Sequence, residues 1–208
     1  LRATRKSAFL EGRMATAPTS DICVYALGVM PAVARGDKET TFSVAQAASR
    51  ITAVAVDDAG EAYAYGYAGD NITGLGKPRF GVDILSFPKA DNVAEGTKLD
   101  SRLVNSPMSI GALSVDLSSD SKRVAVAWYG KYGGAVTLDD ISSEEKKQTI
   151  FTIDGEAYTW VQLVEGASPR VVAGTRQGVV RVWDAASRDL LARFNVTAEE
   201  LADDTGKV

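Results

Sequence analysis

The stretch most suggestive of chemistry is Gly74-Leu-Gly76-Lys77, a glycine-rich turn ending in lysine, the kind that can wrap backbone N–H groups around a phosphate. The pattern is incomplete: Asn71 stands where a phosphate loop has its first glycine, Pro78 stands where Ser or Thr would meet magnesium, and no helix follows to add its N-terminal dipole. A flexible connection between strands is the expected role. Asp57 and Asp58 could divide acid and base duties across a cleft, but they lie where two alternating segments reverse, and aspartates at turns bond to their own backbone. Asp139-Asp140 and Glu144-Glu145 offer oxygen ligands to a hard cation. Lys146 and Lys147 adjoin them and the spacing is not that of a calcium loop, so a solvated turn is expected. Cys23 sits in the apolar run Ile22-Cys-Val24, where a thiol is buried and inert. Trp128, Trp160 and Trp183 each have alternating apolar neighbours, which favours packing between sheets over ligand stacking.

Among the chain's 208 residues there is no histidine. Histidine is the commonest general base and metal ligand, so its absence removes Ser-His-Asp triads, Cys-His dyads, HExxH metalloproteases and most zinc sites. No catalytic residue, metal or cofactor is predicted. A net charge of −4 argues against bulk attraction to nucleic acid and leaves room only for a local basic patch. With 45% hydrophobic and 24% charged residues the composition is that of a globular domain with a sizeable core. No stretch approaches the roughly 18 apolar residues of a membrane helix, and the opening Leu1, Arg2 and Arg5 do not read as a secretory leader. A single cysteine cannot form an internal disulfide, so an intracellular, cytoplasmic setting is expected, with the Asn71 and Asn195 glycosylation triplets unused.

The elements that would position any site are short alternating strands, and their order recurs. Ile51–Val56, a turn at Asp57–Gly60, Ala62–Tyr67, a glycine-rich loop and Gly81–Ser86 read as strand, turn, strand, loop, strand. The order returns in Ile110–Val115, Arg123–Trp128 and Gly134–Asp139, and again in Tyr158–Leu163, Arg170–Gly174 and Gly178–Asp184, with a fourth amphipathic strand at Leu190–Phe194. An incomplete unit lies upstream in Ile22–Leu27 and Thr41–Val44. Four-stranded units cannot cover their own apolar faces and must stack on one another.

Gly178-Val-Val-Arg-Val-Trp183-Asp184 followed by Ala185-Ala-Ser-Arg-Asp-Leu190 resembles the end of a WD40 repeat. Earlier units have Leu85-Ser86 and Leu138-Asp139 in place of Trp-Asp and lack the family's Gly-His pair, so its His-Asp network cannot form. The resemblance implies an all-β fold, a β-propeller of four-stranded antiparallel blades. Units of roughly 40 to 45 residues allow about five blades at most. The propeller is therefore expected to be incomplete, open or part of a larger ring, and Leu1 in place of Met favours a piece of a longer protein. The expected organisation is a linker or edge strand over 1–20, a partial propeller over 21–196 with blades at about 21–50, 51–108, 109–155 and 156–196, and a capped helix with an acidic tail over 197–208. The helix rests on the capping box Thr197-Ala-Glu-Glu200 with Val196 and Leu201 as its staple.

In an antiparallel meander alternate turns share an end of the sheet. The loops between second and third strands carry Arg35 and Lys38, then Lys77, Arg79 and Phe80, then Tyr129, Lys131 and Tyr132, then Arg176. The opposite turns carry Asp57, Asp58, Glu61, Asp116, Asp120, Asp139, Asp140, Glu144, Glu145 and Glu165. One end should be basic and aromatic, the other acidic. Lys77, Arg79, Phe80, Tyr129, Lys131, Tyr132 and Arg176 are the predicted partner-binding residues. The expected function is a non-catalytic scaffold docking other proteins of acidic surface within an assembly, without membrane, nucleic acid or small-molecule substrate. The alternatives are a propeller enzyme or small-ligand binder with a channel site, and nucleic-acid contact through the basic loops.

Overall fold

A computed structural model describes residues 14–27, 30–36, 38–41, 49–71, 81–86, 101–105, 111–130, 133–142, 147–151 and 155–196. The described residues are all-β, without helix, and their strands form open antiparallel meanders. Sheet 1 contains β1 (Met14–Thr16), β2 (Ile22–Leu27), β3 (Met30–Arg35) and β4 (Lys38–Thr41) in that order. Sheet 2 contains β5 (Ser49–Val56), β6 (Ala62–Asn71), β7 (Gly81–Ser86) and β8 (Ser101–Asn105). Sheet 3 contains β9 (Gly111–Leu117), β10 (Arg123–Gly130), β11 (Gly133–Asp140) and β12 (Lys147–Phe151). Sheet 4 contains β13 (Tyr158–Val164), β14 (Arg170–Thr175), β15 (Val179–Asp184) and β16 (Leu190–Asn195). A single pair, Ala68 with Gly111, joins sheets 2 and 3 at one corner.

Period-two alternation explains how sheets 2 and 3 each serve two interfaces. In β6, Tyr63, Tyr65 and Tyr67 point to sheet 1 and pack with Ile22, Val24, Val33 and Ile51. The small residues between them serve the other side, where Ala64 joins Val82, Ile84 and Val104 against Val124, Val126 and Trp128 of sheet 3. Gly66 is required there, because a Cβ on it would sit 2.7 Å from the Cβ of Ala112. Ala125, Ala127, Val136, Leu138 and Phe151 then form the other face of sheet 3, covered by Tyr158, Val161, Val171, Ala173 and Trp183 of sheet 4. Trp183 is buried, with its ring 5.7 Å from Phe151 and 5.9 Å from Tyr158, as alternation in β15 predicts. Cys23 is buried on the second face of sheet 1 with Tyr25, Ala32 and Ala34.

Sheet 1 corrects the expected layout. Strand β3 is absent from that layout because Met30-Pro-Ala-Val-Ala-Arg35 does not alternate and Pro31 reads as a strand break. Pro31 nevertheless takes its place in β3, paired with Ala26 of β2 next to the Ala32–Thr41 pair with β4. The fourth strand is Lys38–Thr41, so the predicted Thr41–Val44 shares only its first residue, the remainder lying outside the described residues. Counting one more strand moves Arg35 and Lys38 to the β3–β4 turn, where Gly36 donates to the Asp21 carbonyl. They stand at the end predicted to be acidic, not the basic one. Within 1–20, where a linker or an edge strand is expected, Met14–Thr16 forms β1 and pairs with β2, while residues 1–13 lie outside the described residues. The helix predicted over 197–204 lies outside the described residues, and among those described no helix is long and apolar enough to cross a membrane.

Trp160 is also corrected. It is 44% exposed, because Val161 next to it takes the face turned to sheet 3 and leaves Trp160 on the opposite side. Asp139 is a third correction, buried inside β11 rather than in a solvated turn. Trp128 Nε1 donates to Thr137 Oγ1 at 2.8 Å, Thr137 donates to Asp139 Oδ2 at 2.9 Å, and Gln148 Nε2 donates to Asp139 Oδ1 at 2.9 Å. A carboxylate survives burial here because hydrogen bonds meet both its oxygens.

Candidate interaction site

Of the predicted partner-binding residues, Tyr129 and Arg176 are described, and Lys77, Arg79, Phe80, Lys131 and Tyr132 lie outside the described residues. Tyr129 is the penultimate residue of β10, paired with Gly134 and 42% exposed. Gly134 N donates to the Glu156 carbonyl at 2.7 Å, and Tyr158, two residues on, pairs with Thr175 next to the exposed Arg176. Register therefore brings Tyr129 and Arg176 to the same end of adjacent sheets.

Behind that end lies an ion pair that sequence reasoning missed. Arg181 of β15 is buried, and its Nε donates to Glu156 Oε2 at 2.6 Å while Nη2 donates to Glu156 Oε1. Tyr158 Oη donates to Glu156 Oε2 at 2.7 Å. The Arg181 bonds hold the Glu156 carboxyl below its ordinary range, and burial with the Glu156 bond pushes the Tyr158 phenol up. Two parallel N–H···O bonds fix the planar guanidinium rigidly, so the segment before β13 is tied to β15. The signal available in the sequence was Arg181 itself, a cation on the face that carries Trp183.

The opposite end is stitched rather than bare. Asp57, buried in the β5–β6 turn, accepts from Glu61 N at 2.8 Å and Ala62 N at 3.2 Å through Oδ1, while Oδ2 accepts from Ser121 Oγ of the β9–β10 turn. In sheet 3 the same closure falls to Ser118, which accepts from Lys122 N at 3.1 Å and Arg123 N at 2.9 Å. Ser119 donates to Glu165, and Arg123 lies 3.5 Å from the same carboxylate. The Asp57 carboxylate thus closes its own turn. Arg35 and Arg123 also stand at this end, so the charge segregation between ends is weaker than alternation implied.

A groove runs between the ends, lined by the first strand of every sheet. Two neighbouring cavities of about 450 Å³ each meet there, one between Met14, Thr52, Ser114, Asp116, Trp160 and Gln162, the other between Thr16, Val56, Ser119 and Glu165. Asp116 is a groove residue in β9 and not the turn residue expected. Its Oδ2 accepts from Leu163 N at 2.7 Å, and Ser114 Oγ accepts from Val161 N at 3.2 Å. Burial raises the Asp116 carboxyl above its ordinary range against the pull of that backbone bond. Side chains of β9 thereby occupy N–H groups on the edge of β13 that face away from β14. Thr52 Oγ1 donates in the same manner from β5 to the Ala112 carbonyl on β9. Among the described residues no three Cys, Asp or Glu side chains converge as metal ligands. No protein-family model and no curated protein sequence matches the chain.

Proposed function

We propose that the four sheets are consecutive blades of a WD40-like propeller, open or completed by further sheets, and that the chain is a non-catalytic, intracellular scaffold docking acidic protein surfaces. The docking end is that of Tyr129 and Arg176, with Lys77, Arg79, Phe80, Lys131 and Tyr132 from the adjoining loops. The observation that carries this reading is the register relay from Tyr129 through Gly134 and Tyr158 to Arg176, which gathers an exposed aromatic and an exposed cation from successive sheets at one end. Four meanders in succession, with their first strands along one groove, support the blade assignment.

In such a site the aromatics are desolvated at the centre and the cations stay at a salt-sensitive rim. The double reversal Lys131→Glu with Arg176→Glu should lower association rates with partners and flatten their salt dependence while leaving the melting temperature unchanged. Recovery of every partner at wild-type level, with the fold intact, would remove this end from consideration. The two groove cavities favour a second reading, ligand binding in the channel, but Ser114 and Asp116 there are already committed to backbone N–H groups.

A further inference from the structure

The groove changes character along its length. The cavity at the start of the first strands holds Met14 and Leu113, 49% and 38% exposed, whereas the cavity at their far end holds Asp58, Asp116 and Glu165. Among the described residues lining the two cavities there is no Lys or Arg. Arg123 and Ser119 meet Glu165 from the side. The Asp116 carboxyl, raised by burial, is raised further by the nearby Glu165 and Asp58 carboxylates. Surplus negative charge therefore gathers about Asp58, which is exposed in the β5–β6 turn.

Residues 1–13, outside the described residues, run directly into β1, whose first residue Met14 stands at the apolar end of the groove. Their sequence, Leu1-Arg-Ala-Thr-Arg5-Lys-Ser-Ala-Phe9-Leu-Glu-Gly-Arg13, complements the groove in the same order. Phe9 and Leu10 are an apolar pair close to Met14, and Glu11-Gly12 between them is a turn signal. Arg2, Arg5, Lys6 and Arg13 stand against the single carboxylate of Glu11, in a chain whose net charge is −4. A reversal at Gly12 lays the segment antiparallel to β1. Arg5 is then five positions beyond Leu10, roughly 16 Å along an extended chain. The same count separates Trp160 in the first cavity from Glu165 in the second.

We infer that residues 5–10 of the same chain occupy the groove, with Phe9 and Leu10 against Met14 and Leu113 and with Arg5 and Lys6 at the carboxylate end facing Asp58. Exposed ion pairs are individually weak, too weak to hold a separate basic peptide. The tether from Glu11 to Arg13 makes the contact intramolecular, at an effective concentration on the order of millimolar. Connection thus favours this segment over an external cation. A ligand entering the channel has to displace it. The inference does not rest on the docking function proposed for the end bearing Tyr129 and Arg176.

The test places the photo-cross-linking residue benzoylphenylalanine at position 9 of the full chain, mixes it with an isotopically labelled copy, and sequences the cross-linked peptides. The expected product joins position 9 to the β9 peptide holding Leu113 within one chain. Arg5→Glu with Lys6→Glu should cut its yield about fivefold, the upper range for an exposed ion pair. Adding Asp58→Lys should restore the yield. Asp58 suits that exchange because Thr19 bonds to its backbone carbonyl, which the substitution keeps. Circular dichroism of each variant should match wild type. A cross-link to the labelled copy or to a part of the chain outside the groove, or no cross-link in a folded chain, would overturn the inference. So would a yield indifferent to the Arg5 and Lys6 reversal, or one that Asp58→Lys does not recover.

Discussion

Arg181 and Glu156 illustrate how a buried charge is tolerated: the guanidinium meets a carboxylate on two parallel bonds, and that carboxylate also takes the Tyr158 hydroxyl. Glu156→Gln would leave the buried cation without its counter-charge, a change that costs about 3 kcal/mol in buried pairs, measurable by urea unfolding at neutral pH. The pH dependence follows from the depressed carboxyl. A folded-state value below the unfolded one stabilises the fold above the ordinary glutamate range, and the contribution fades as pH falls toward the depressed value. Glu156→Gln should therefore flatten the acid limb of the stability curve. Asp116 has the opposite sign, since burial raises its carboxyl. Its contribution is full below the ordinary aspartate range and declines as pH rises through the raised value. Asp116→Asn, which keeps an acceptor for Leu163 N, should match or exceed wild-type stability at neutral pH. Asp116→Ala should lose about 1 to 2 kcal/mol by stranding that N–H.

At the scale of strands, the two tryptophans of sheet 4 separate local pattern from burial. Both sit in alternating apolar runs, yet Trp183 faces Phe151 and Tyr158 while Trp160 lies on the uncovered side. Trp183→Ala should destabilise by roughly 3 to 5 kcal/mol. Trp160→Ala should stay within about 0.5 kcal/mol, as exposed substitutions do. Equal losses in thermal unfolding of the two variants would contradict the register of β13 to β15. Gly66→Ala should cost about 1 to 3 kcal/mol, the range for overpacking, because its new methyl meets Ala112.

At the scale of the molecule, each sheet touches chiefly its neighbours along the chain, with the side chains of the groove and the Asp57, Ser121, Ser119 and Glu165 turns as cross-ties. Such stacks lose structure locally before they lose it globally. Trp183→Ala should accordingly speed amide exchange in sheet 4 and the adjoining face of sheet 3, with sheet 1 least affected. Uniform acceleration across all four sheets in hydrogen-exchange mass spectrometry would show instead a single cooperative unit.

Alternation and turn residues alone fixed much of this architecture. Gly81–Ser86 matches β7 end for end, Ile22–Leu27 matches β2, and the first three strands of sheet 3 and all four of sheet 4 fall within a few residues of those expected, because a half-buried strand must alternate whatever it packs against. The shared end of Tyr129 and Arg176 was legible for the same reason. Strand β3 was not, since Pro31 and its apolar neighbours resemble a loop until β2 and β4 are in place on either side. Nor could local pattern tell Trp183 from Trp160, reveal Asp139 as a buried acceptor, or assign Asp116 to the groove. Alternation divides a strand's residues between two faces but carries no record of which face a neighbouring sheet will cover. That choice belongs to contacts between residues distant in sequence, and only the stacked sheets decide it.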